Sequence, residues 1–172
     1  MRDAFTTVDR ERAAADINSA LGVVSSKAYL VSATAGVPRD LGDGNPLMMT
    51  LRVDTAFVGD ATLQWGIIAS NVEALSGGGS EIILAMSASI PGLPGSFGHL
   101  DAAHLTAGAD FKLYIPPFPK TWILAACGLQ YLGAIYLMTS GTSFTAGTFT
   151  TSISHASTSS MPRSHVIGYR GP

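Results

Sequence analysis

Residues 47–54 alternate cleanly between apolar and polar. Leu47, Met49, Leu51 and Val53 fall on one side of an extended chain, and Met48, Thr50 and Arg52 on the other. A period of two marks a strand with one buried face. The same period returns where Leu63, Trp65 and Ile67 alternate with Gln64 and Gly66. Shorter apolar runs at 28–32, 81–89, 99–105, 111–115 and 144–153 predict further strands. Turn residues separate them: Pro38 to Pro46, Gly59-Asp60, the Ser-Gly-Gly-Gly-Ser loop at 76–80, Pro91-Gly92, Pro94-Gly95, and Thr106 to Ala109. About eight short strands with a turn every 8–15 residues predict an all-β domain, as a sandwich, jelly roll or barrel.

Three stretches depart from this text. Residues 4–21 contain Asp9, Arg10, Glu11, Arg12 and Ala13 to Ala15, which are fair helix formers, with Gly22 placed to end a helix. They form no clean apolar stripe, so the stretch reads as a short helix or an extended arm. Residues 122–138 carry no charge. A bilayer span needs about 20 apolar residues. Gly128 and Gly133 break the run into two strand lengths, which favours two adjacent buried strands. Residues 154–172 are rich in Ser and Thr and read as an extended arm or a frayed tail. The expected organisation is an N-terminal arm over 1–26, a single β domain over 27–154 and a C-terminal arm over 155–172.

Composition changes the picture in one respect. Of 172 residues, 47% are hydrophobic and only 13% charged, against about 25% charged in average domains. Ser, Thr, Gly and Ala must therefore cover much of the surface, which suits a protein that sits in an assembly. A net charge of −2 argues against a general nucleic-acid binder, which needs excess Lys and Arg to neutralise phosphate. The single cysteine, Cys127, permits no internal disulfide and reads as a small buried hydrophobe. Residues 1–20 hold seven charged side chains and no apolar leader segment.

The search for chemistry predicts no catalytic residue, no metal and no cofactor. His99 and His104 have neither helical zinc spacing nor same-face strand spacing. His155 and His165 fall in the Ser-rich tail. Gly95-Ser96-Phe97-Gly98 lacks the nucleophile-elbow pattern. Gly77 to Gly79 precede a strand, so they offer phosphate no helix N-terminus. Asp40, Asp43 and Asn45 lack the closing acid of a calcium loop. The 12 acidic residues single out no pair for glycoside hydrolysis.

The segment Asp40-Leu41-Gly42-Asp43-Gly44-Asn45-Pro46-Leu47 resembles the Asp-Leu-Gly-x-Gly-x-Pro-Leu signature of a family of tailed-phage capsid cement proteins. Val53-Asp54-Thr55-Ala56-Phe57 is similar to that family's Val-Asp-x-Ala-Phe. Thr62-Leu63 with Ala69-Ser70 resembles its next strand. Leu105 to Phe111 with Ile115-Pro116, and Phe144-Thr145-Ala146-Gly147, follow in the same order. The likeness spans about residues 27–153. Lys120-Thr121-Trp122-Ile123 departs from it, as do the longer stretches at 127–140 and after 154.

The resemblance implies a jelly roll without enzymatic activity on the outer surface of the virion. Such a protein bridges subunits of the major capsid protein and associates with itself as a dimer or trimer. No nucleic acid and no membrane are expected as partners. Aromatic and Arg side chains dominate binding hot spots, so Phe5, Arg10, Arg12, Arg163, Tyr169 and Arg170 in the arms are the candidate contacts. Two other readings stand beside it: a carbohydrate- or receptor-binding jelly roll of a phage particle, and a small membrane protein spanning at 122–138.

Overall fold

The computed structural model describes residues 6–18, 22–27, 29–30, 47–75, 81–87, 100–115 and 130–155. Its strands are β1 (Thr6–Ala13), β2 (Val23–Val24), β3 (Tyr29–Leu30), β4 (Leu47–Gly59), β5 (Thr62–Ser70), β6 (Ile82–Met86), β7 (Leu100–Asp101), β8 (Asp110–Ile115), β9 (Tyr131–Ser140) and β10 (Phe144–His155). One 3-10 turn, Ala14–Ile17, follows β1. The expected all-β sandwich is present. Sheet one has the order β1-β10-β4-β8. In sheet two, β9 and β5 form the centre; β2 and β3 pair along the free side of β9, and β6 and β7 along the free side of β5.

Every pairing is antiparallel, and the pairs are nested. β1 pairs with β10, β2 and β3 with β9, β4 with β8, and β5 with β6 and β7. The described strands thus pair in the order of the two arms of one long hairpin. The contacts β10·β4 and β9·β5 join its turns into two sheets.

The alternation of β4 decides its orientation as expected. Met49, Leu51 and Val53 are fully buried, and Arg52 is exposed. Trp65, Leu63 and Ile67 from β5, Leu132, Ala134 and Tyr136 from β9, and Phe149 and Ile153 from β10 fill the space between the sheets. Each fully buried Leu, Ile or Phe among them contributes about 1.5–3 kcal/mol by leaving water. An aromatic row crosses the layers: Phe57 meets Phe144 edge-on at 5.0 Å, Phe149 lies 5.9 Å from Phe57, and Tyr136 reaches Phe149 at 5.0 Å. At one end Asp60 ties two turns together, its Oδ1 accepting the N–H groups of Thr142 (2.9 Å) and Ser143 (3.2 Å).

Several expectations need correction. The helix considered for residues 4–21 is absent from the described part: Thr6–Ala13 is a strand and Ala14–Ile17 a single 3-10 turn. Nor do residues 6–26 stand apart as an arm, since they supply β1 to sheet one and β2 to sheet two. Of the strand expected over 99–105, the described residues form strand only at Leu100–Asp101. The chain then runs beside β4, where Leu105 C=O accepts the Phe57 N–H and Ala109 C=O accepts the Val53 N–H, each at 2.9 Å. His155 is not in a tail but closes β10 opposite Leu47. Of residues 122–138, Tyr131 onward is strand, and no helix among the described residues is long and apolar enough to cross a membrane.

Candidate interaction surfaces

Among the described residues no group of three or more His, Cys, Asp or Glu side chains is placed to hold a metal. His104 stands beside Asp101, Nδ1 to Oδ1 at 2.6 Å, in an exposed turn. That pair caps the turn, because Asp101 Oδ1 also accepts the His104 N–H at 3.1 Å. Asp40, Asp43, Asn45, Gly77 to Gly79, Gly95 to Gly98, His99, Cys127 and His165 lie outside the described residues.

The most developed polar cluster closes one side of the sandwich. β1 is an edge strand with two register shifts, between Thr7 and Asp9 and between Asp9 and Arg12, and Glu11 in the second adopts φ 46°. These bulges turn both Asp9 and Arg12 inward, opposite the buried Thr151 and Phe149. Asp9 Oδ2 accepts the Tyr136 hydroxyl at 2.8 Å, and its Oδ1 accepts the Ser26 N–H at 2.9 Å. Arg12 Nη1 donates to both carboxylate oxygens (3.3 and 3.2 Å) and to the Val24 carbonyl at 2.7 Å. The guanidinium also lies 5.6 Å from the Tyr136 ring centre. Burial first, and the Asp9 charge second, push the Tyr136 phenol well above its ordinary pKa. The cluster is a clasp between sheets. Inward-pointing charges and bulges also blunt an edge against stray pairing.

The two outer faces differ in kind. On sheet one, Thr7, Ser152, Thr50 and Lys112 stand in one cross-strand row, and Thr150, Arg52 and Asp110 in another. Thr150 Oγ1 donates to Asp54 Oδ2 at 2.6 Å, and Thr148 Oγ1 to Thr55 Oγ1 at 3.1 Å. These rows are hydroxylic and charged, with Met48 and Tyr114 paired beside them.

On sheet two most outward positions are apolar, Gln64 and Ser70 excepted. Ile68 pairs with Gly133 on one side and Ile83 on the other, Gly66 with Ile135 and Met86, and Gln64 with Leu137. Ile68 is fully buried although it faces away from the core between the sheets. Two glycines explain how. A Cβ on Gly66 would stand 2.2 Å from Met86 Sδ, and one on Gly133 2.2 Å from Leu75 Cδ1, so both side chains lie down on the sheet. Ile135, Leu137, Leu75 and Met86 remain partly exposed. Of the four exposed large hydrophobics among the described residues, Val72 (45%), Ile82 (45%) and Ile83 (53%) belong to the β5–β6 hairpin, and Val58 (55%) lies near the end of β4. β6 is an edge strand, and Ile82-Ile83-Leu84-Ala85-Met86 carries no charge to discourage pairing.

The expected contact residues fare unequally. Arg10 is exposed on β1. Arg12 is committed to the clasp, its side chain only 17% exposed, so it is not a free anchor. Phe5, Arg163, Tyr169 and Arg170 lie outside the described residues. The apolar face of sheet two went unseen in the sequence, although Gly66, Gly133 and the uncharged β6 were signals for it. Comparison with known proteins finds no family model and no curated protein that matches the chain.

Proposed function

We propose that this chain is a non-enzymatic capsid cement protein that lays the outer face of sheet two on the major capsid protein, outside a phage head. The observation that carries the reading is the contrast between the two outer faces. A hydroxylic, charged face suits water, whereas a contiguous apolar face ending in an uncharged edge strand suits a protein surface. The nested antiparallel pairing supports the reading too, being compatible with the jelly roll that the motif order from Asp40 to Gly147 implies. Capsid glue needs area rather than chemistry: stable interfaces bury about 1,200–2,000 Å². Self-association through the β6 edge completes the scheme.

Co-sedimentation with cognate heads that lack the protein tests this. Wild type should pellet with heads to saturation. Ile83→Asp with Leu137→Asp should weaken binding by about tenfold or more, since buried interface anchors of this kind carry most of the affinity. Arg52→Ala, on the opposite face, should bind as wild type does. Equal binding by the double variant, or loss of binding by Arg52→Ala, would move the interface away from sheet two.

A further inference from the structure

A cleft of about 460 Å³ opens at the β1 edge, lined by Thr7, Val8, Arg10, Ser26 and Lys27. It is built rather than incidental. Lys27 N–H and Ser26 Oγ both donate to the Val8 carbonyl, each at 3.1 Å, which fixes segment 25–27 alongside β1. Ser25 in turn holds sheet two, its N–H donating to the Ala134 carbonyl at 2.8 Å. The cleft therefore adjoins the side of sheet two where β2 and β3 pair with β9.

Its described lining is cationic. Arg10 and Lys27 are both exposed, and among the described residues no acid lines it. The neighbouring acid, Asp9, cannot serve, because Arg12, the Ser26 N–H and the Tyr136 hydroxyl already engage its oxygens inside the sandwich. By contrast, Arg52 on sheet one stands opposite Asp110. Two cations thus meet in one concave site on a chain whose net charge is −2.

We propose that this cleft receives a carboxylate side chain from an acidic segment of the protein partner, with Arg10 and Lys27 as its two cationic walls and the hydroxyls of Thr7 and Ser26 as polar lining. Arg guanidinium and Lys ammonium together suit a carboxylate, which accepts from both. The assignment of the partner as a capsid subunit rests on the cement reading; the carboxylate specificity of the cleft does not.

Two experiments on the full chain separate these. In the first, tri-glutamate is titrated into the labelled protein and followed by NMR. Amide signals of Thr7, Val8, Arg10, Ser26 and Lys27 should shift saturably. Arg10→Glu with Lys27→Glu should weaken the peptide by at least about tenfold, and added salt should weaken it for wild type. The milder Arg10→Ala with Lys27→Ala should do the same while leaving the thermal midpoint unchanged. Shifts elsewhere, no saturation, or equal response to tri-lysine would overturn the cleft. So would glucuronate or inorganic phosphate binding as tightly as the peptide. In the second, both variants are tested on heads. Heads that bind wild type but release the double variants support the whole proposal, and heads that bind all three alike overturn the cleft's role and leave the cement reading intact. If wild type ignores heads while the tri-glutamate shifts persist, the cement reading fails and the cleft stands.

Discussion

Asp9 is the residue on which the two sheets converge. It lies on an edge strand of sheet one, yet its carboxylate holds Tyr136 of sheet two and an Arg whose other bond goes to β2. Removing it would leave the part-buried Arg12 without a counter-charge, a change that costs about 3–5 kcal/mol. Tyr136→Phe is gentler, because it deletes one hydrogen bond to a charged acceptor, worth about 1.5–3 kcal/mol. That variant also carries a pH signature. The Tyr136 phenol titrates above its ordinary value of 10.0 in the folded chain. Its neutral form is thus favoured by folding, so this stability is complete below pH 10 and falls as pH rises toward the folded value. Urea midpoints measured from pH 8 to 11 should drop more steeply in wild type than in Tyr136→Phe. Parallel slopes would detach Tyr136 from the alkaline loss. None of this was legible in Asp9-Arg10-Glu11-Arg12. Four consecutive charges look equivalent as text, and only the two bulges decide that Asp9 and Arg12 turn in while Arg10 stays out.

At the scale of elements, the strands at 47–54 and 63–67 were read correctly because apolar and polar or glycine positions alternate there, although β4 runs on to Gly59 and β5 to Ser70. β9 was harder for the opposite reason. Leu132, Ala134 and Tyr136 face the core, while Tyr131, Gly133, Ile135 and Leu137 meet the outer apolar layer, so the period of two vanishes. A strand apolar on both faces looks in sequence like a piece of bilayer span. β1 misled in another way. Its residues have helix propensity, but pairing with β10 and the burial of Val8 outweigh a preference of a few tenths of a kcal/mol per residue. The outer layer rests on Gly66 and Gly133. Gly66→Ala would press its Cβ against Met86 Sδ and, at 2.6 Å, against the Ala85 carbonyl, which is backbone and cannot swing away. We expect it to destabilise by about 1–3 kcal/mol, read as a lower urea midpoint. An unchanged midpoint would mean that the outer layer is not packed as described.

For the whole molecule, the sandwich has a direction. One face is mainly hydroxylic and charged, the other mainly apolar, and the apolar one runs to β6, the last described strand on that side, and toward the cationic cleft at β1. The general class was legible from turn spacing and alternation. The direction was not, because it depends on which outward positions face each other across strands, and sequence alone does not give register. The direction is also what turns an all-β domain into a proposal about attachment. A cryo-EM reconstruction of cognate heads decorated with the full chain tests it most directly. The account predicts density for the sandwich on the outside of the head, with Ile135, Leu137 and Ile83 against the capsid subunit and Thr50, Arg52 and Lys112 facing solvent. Undecorated heads, or a sandwich seated on its Thr50–Arg52–Lys112 face, would contradict it.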